Sequence, residues 1–185
     1  MNVIDFFVRI EKNSDLSLGD YIENAKNIDV FTLNVNETIV PCTVNNNNKE
    51  CYLVSPSVHY IKYAMDEISE MSNKLLLFTL KCIGKTIYLI GSFGCIDKAV
   101  HVNNWLISTN PNVRLDQDQV KLITKSIKDK HPCHSIIFRS IDPIKDCDLI
   151  KYLVKEGYHL VLNREIHYFY PNKINLFTKN KKKMY

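Results

Sequence analysis

The sequence predicts an α/β domain, and three observations carry that expectation. From residue 99 onward, apolar stretches of strand length alternate with stretches whose apolar residues recur at helical spacing. The hydrophobic share, 45% of 185 residues, is that of a globular chain. A chain of that size can bury most of its apolar surface as one domain without disulfides. The third observation is the central run Val100-His101-Val102-Asn103-Asn104-Trp105-Leu106-Ile107-Ser108-Thr109-Asn110. It holds the only tryptophan and passes from an apolar stretch into a dense polar cluster.

The first 50 residues are the least regular. Residues 5–10 suit a short strand or the start of a helix, and 21–26 a short helix after the Ser17-Leu18-Gly19-Asp20 turn. Residues 29–34, 38–44 and 50–54 read as strands. The run Asn45-Asn46-Asn47-Asn48 is expected to be a surface turn closing a hairpin between the last two. Pro56 opens a helix, with Ser55 or Ser57 near its cap, and Val58, Ile61, Met65, Ile68 and Met71 form its apolar line. Residues 75–90 suit either a buried helix or two strands joined at Cys82-Ile83-Gly84-Lys85, because periodicity does not separate these.

Residues 91–94 read as a turn and 99–105 as a strand. Residues 116–130 form a helix with Val120, Ile123 and Ile127 inward and Lys121, Lys125 and Lys128 in water. His131-Pro132 stops it. Residues 135–139 are an apolar strand, and 144–156 a helix buried through Leu149, Ile150, Leu153 and Val154, with Gly157 at its left-handed cap. Residues 158–162 and 165–170 read as two strands or one bent strand, and Pro171 ends the pattern. The organisation that follows is a strand-rich segment 1–54 belonging to the same domain as a core 55–171, then a weakly ordered, lysine-rich tail 172–185.

Asn, Lys, Ile and Tyr are over-used along the whole chain, which fits a coding bias and weakens any functional reading of a single Asn or Lys. The formal net charge of +4 is matched by Lys179, Lys181, Lys182 and Lys183 at the very end, so no nucleic-acid partner is expected. Six scattered cysteines without a C-x-x-C pair, and an N-terminus without a basic leader, point to reduced thiols in a cytoplasmic protein. Residues 75–93 are long enough to span a bilayer. Lys81 and Lys85 lie at their centre, and a central lysine costs about 2.5–3.5 kcal/mol there, so no membrane span is expected. Gly84-Lys85-Thr86 lacks the earlier glycine of a phosphate loop; Thr79 stands in its place.

Candidate chemistry is sparse. His131, Cys133 and His134 could approach one metal, but a structural site needs four ligands and no second pair is present, so no metal is expected. A Cys133 or Cys95 nucleophile with His101 as base has nothing local to activate the thiol. Arg139-Ser140 leaves a strand end, where α/β folds take ligands. Arg139 could hold a carboxylate or phosphate, or pair with Asp142, Asp146 or Glu165. Asn103, Asn104, Ser108, Thr109 and Asn110 could line a substrate cleft, or bond the backbone of their own loop.

The run 100–110, the helix after it, and the strand His134-Ser135-Ile136-Ile137-Phe138-Arg139-Ser140 resemble a stretch of bacterial GNAT-like acyltransferases. The likeness extends over residues 58–171, including Gly157-Tyr158 through Tyr168-Phe169. It implies a mixed sheet flanked by helices and transfer of an acyl group from acetyl-CoA or another acyl-CoA to an amine. Asn103, Asn104, Arg139 and Ser140 would position substrate, with His101 or Glu165 as the general base. The chain departs from that family in length and lacks the glycine-rich turn that holds the CoA pyrophosphate. The resemblance therefore implies a shortened relative, completed by a partner chain or by a second copy. The other reading is a non-catalytic interaction module or a degenerate remnant.

Overall fold

The structure, a computed structural model, describes residues 3–13, 17–69, 72–107, 110–111 and 113–162. It is an α+β architecture: a four-stranded mixed sheet with helices on both faces. Strands β1 (Ile28–Val35), β2 (Thr38–Asn46), β3 (Lys98–Val102) and β4 (Ser135–Phe138) lie in that spatial order. β1–β2 and β2–β3 are antiparallel, and β3–β4 is parallel.

Strand alternation sends successive side chains to opposite faces. Leu33, Val35, Val40, Cys42, Val44, Val100 and Val102 share one face. They pack under helix α4 (Gln117–Lys130), through Val120, Ile123 and Ile127, and under α5 (Cys147–Lys155), through Leu149 and Leu153. Ile28 and Val30 face the other way, against Phe7 and Ile10 of α1 (Val3–Lys12), Leu18, Ala25, Cys51 and Val54. The segment 1–54 thus contributes two of the four strands and part of a second core.

The hairpin β1–β2 turns at Asn36 and Glu37, both with positive φ (47° and 67°), between Val35 and Thr38. A two-residue turn of that hand matches the twist of its strands. The expected hairpin around residues 45–48 does not form: 50–54 is a turn segment without a strand. Asn45 instead is buried, donating from Nδ2 to the Asn48 and Val54 carbonyls, while Asn48 Oδ1 accepts from Glu50 N and Cys51 N. Asparagine side chains here replace backbone pairing. Residues 5–10 lie within α1, and 21–26 form turns after a short 3-10 turn at Leu18–Asp20.

After Pro56 the chain makes a π-helical turn, Ser57–Lys62, and continues as α2 (Tyr63–Ile68). Ser55 Oγ accepts from Val58 N, and Asp97 Oδ1 accepts from Ser55 Oγ and Ser57 N, tying this start to the entry of β3. Residues 75–90 are neither hairpin nor buried helix. They belong to one continuous helix, α3 (Lys74–Phe93), capped by Asn73, and none of its residues is buried among the described residues. Gly84 lies against Met65 of α2, where an added Cβ would stand 2.8 Å from its sulfur. The turn placed at 91–94 is the end of this helix, and β3 stops at Val102 rather than 105.

α4 begins where expected, with a capping box between Asp116 and Gln119. α5 starts three residues later than its apolar spacing suggests, because residues 143–145 form a turn on the Asp142 carboxylate. It ends with Gly157 at φ 87°. Gly157→Ala is expected to lower stability by about 1 kcal/mol, since an L side chain is strained there, checked by urea unfolding. Residues 158–162 carry no strand. The strand expected at 165–170 and the tail 172–185 lie outside the described residues.

Candidate functional site

The parallel pair sets the geometry. β3 and β4 run side by side with Val100 opposite Ile136 and Val102 opposite Phe138, joined through α4. Both carboxyl ends therefore open on the same edge, where open α/β sheets take ligands. Four of the residues singled out by sequence meet there: Asn103 and Asn104 after β3, Arg139 and Ser140 after β4.

Their side chains are tightly engaged. Asn104, fully buried, donates from Nδ2 to Thr43 Oγ1 (2.9 Å) and the Leu53 carbonyl (3.2 Å). Its Oδ1 accepts from Leu106 N (3.1 Å) and from Arg139 Nη1 (3.0 Å), which also reaches the Leu53 carbonyl (2.8 Å). Asn103 Oδ1 accepts from the indole of Trp105 (2.6 Å) and its Nδ2 donates to the Pro111 carbonyl (2.8 Å). Ser140 Oγ accepts from Asn110 N, and Asn110 Oδ1 from Trp105 N. Asn103, Leu106 and Ser140 all hold positive φ (56°, 58° and 58°). Left-handed backbone at three non-glycine positions persists only where contacts over-determine it.

A small cleft remains between the strand ends, bounded by Asn103, Phe138, Arg139, Ser140 and Asp146, with a volume of about 10 Å³. That is room for one water. Asn110 Nδ2, buried, has no hydrogen-bond partner among the described residues.

His101 lies within β3, paired with Thr43 and Ile137, and is 4% exposed. Burial first, then the positive charge of Arg139 and of His59, pushes its pKa down to about 3. Its Nδ1 has no partner among the described residues. An imidazole so depressed is neutral at pH 7 and a weak base, far from the value a general base wants. Glu165, the other expected base, lies outside the described residues.

The first turn of α4 follows the loop after β3. Asp116 occupies it as cap and Asp118 adds a second carboxylate. These acids oppose an anion at that helix end. No glycine occurs between Asn103 and Asp116.

Among the described residues no three His, Cys, Asp or Glu side chains gather as a metal set. Cys133 is exposed, and His134 Nε2 bonds Asn46 Oδ1 (2.9 Å). The six cysteines are free. Cys42, buried in the sheet, has its thiol pushed up to about 12 by desolvation and is inert as a nucleophile at neutral pH. Sequence reasoning did not find Thr43, the Leu53 carbonyl or the Pro41 carbonyl, which accepts from Asn104 N, as parts of this cluster. They stand 51 or more residues from Asn104 along the chain, and no local pattern marks them.

The fold defines an α+β protein with a mixed sheet and a polar network at the ends of its parallel strands. Comparison with family models, with curated proteins and with solved structures finds no match to this chain.

Proposed function

We propose that this chain is a shortened GNAT-like acyltransferase that carries an acyl group from acetyl-CoA or another acyl-CoA to an amine. The observation that supports it best is the parallel β3–α4–β4 unit, which gathers Asn103, Asn104, Arg139 and Ser140 at one sheet edge. Asn104 and Arg139 act as positioning residues, because their polar atoms already hold the loop; Ser140 borders the small cleft left for substrate. His101, neutral at pH 7 with its pKa lowered to about 3, is too weak a base to take the proton of the amine. The acidic first turn of α4 and the water-sized cleft call for completion of the cofactor site by a partner chain or a second copy.

The test is thermal unfolding with and without saturating acetyl-CoA. A native state that binds it at about a hundred times Kd gains about 2.7 kcal/mol, a rise of roughly 5–10 °C for a chain of this size. A cooperative transition that does not move removes the enzyme reading from this chain. The second reading, a non-catalytic interaction module, would then stand. The self-satisfied network around Asn104 and the acidic cap of α4 favour it.

A further inference from the structure

The geometry points to α3 as a membrane-docking element: it lies in the plane of an anionic lipid surface, apolar face down, with a row of lysines at its border. This does not rest on the acyltransferase reading. At 100° per residue, the side of α3 turned to the π-helical turn and α2 carries the half-buried Leu77, Leu80, Gly84, Tyr88 and Gly91, with Lys81 and Ser92, also half-buried, at its border. The opposite side, about half the circumference, presents Leu75, Phe78, Ile83, Ile87, Ile90 and Phe93 over the full length. Leu75 is 78% and Phe93 88% exposed. Thr79, Cys82 and Thr86 lie between them, and no charge does.

The charges of α3 are confined to one line. Lys74, Lys81 and Lys85 follow at i, i+7 and i+11, within about 40° of one another on the helix wheel. Ser92 continues that line, and the Lys49 ammonium sits on it at 2.7 Å from its Oγ. Four ammonium groups thus run along one edge of an apolar face. α3 has no acidic residue; the exposed Asp66 and Glu67 belong to α2, which meets α3 through Met65.

The helix, 20 residues long, passes for a span by length and composition. Its packing against Met65 and its lysine row fit an in-plane position instead: the apolar face enters the acyl boundary, and the long lysine stems carry their charges to the phosphates. A second copy fits less well. A face about 30 Å long and 10 Å wide buries on the order of 300–500 Å² per partner, short of the roughly 800 Å² of a stable interface, and offers no carboxylate to the lysines.

The experiment is co-sedimentation of the whole chain with vesicles of phosphatidylcholine alone and of phosphatidylcholine with phosphatidylglycerol, at low and high salt. Binding to the anionic vesicles that weakens with salt is expected. The triple variant Lys74→Gln, Lys81→Gln, Lys85→Gln should lose on the order of a hundredfold in affinity, roughly fivefold for each lysine near the surface. Ile83→Glu with Ile90→Glu should abolish binding while leaving the unfolding midpoint unchanged, since both side chains are exposed. Equal binding to both vesicles, or none to either, overturns the proposal. So does a dimer in vesicle-free solution that the glutamate pair dissociates, which would assign the face to a second copy. Resistance to alkaline extraction from membranes would make α3 a span and overturn the in-plane position.

Discussion

Asn104→Ala is expected to cost about 3 kcal/mol, a fall of roughly 10 °C in the unfolding midpoint. The side chain makes four hydrogen bonds inside a fully buried site. Its removal leaves the Thr43 hydroxyl, the Leu106 amide and one Arg139 bond without a partner, and shares the Leu53 carbonyl with Arg139 alone. Each buried group left unsatisfied costs about 1–3 kcal/mol, and relaxation recovers part of that. Asn103→Ala, at a buried residue whose two bonds reach the half-buried Trp105 indole and the Pro111 carbonyl, should cost about 1 kcal/mol. Chemical unfolding of both variants separates the two cases. Equal, small losses would mean that Asn104 does not brace the strand ends and is free to meet a substrate.

Stability is expected to fall by about 2 kcal/mol between pH 7 and pH 5, with His101 as the main cause. The folded protein holds this imidazole neutral, with its pKa near 3, against an ordinary value of 6.5 in the unfolded chain. Between those values the unfolded state binds more protons, so stability rises with pH and is lost as pH falls through 6.5 towards 3, at about 1.4 kcal/mol per pH unit. Desolvation is the first cause, and Arg139 and His59 add repulsion. His134, also lowered, lies at the surface edge of β4 and adds a smaller slope of the same sign. His101→Leu removes the larger part of the dependence between pH 6.5 and 5, where most carboxylates stay ionised. A variant with the wild-type slope would place the titrating group elsewhere.

Several elements were legible because their causes are local. Asp116 and Gln119 start α4, Val120, Ile123 and Ile127 give it an inward line, and Gly157 ends α5 in a left-handed conformation that strains residues with a side chain. The strands of residues 28–46 show in their alternation, yet their turn at Asn36-Glu37 does not, since Asn-Glu is a weak hairpin signal beside four consecutive asparagines. Residues 75–90 stayed open because an apolar run satisfies both a helix and two strands.

Val154 of α5, expected inward, is exposed, and Ile150 only half-buried, but the sequence by itself determined the α/β character, the inner face of α4, the inward Leu149 and Leu153 of α5, and the identity of the polar residues that close the two parallel strands. Those features follow from periods of two and 3.6 residues and from caps, which a few neighbouring side chains decide. Only the tertiary structure decided that Asn104 meets Thr43 and Arg139, that burial rather than any neighbour in sequence silences His101, and that the most apolar helix lies outside the core. Desolvation and long-range hydrogen bonds depend on what other segments bring to the same point, and no spacing along the chain records it.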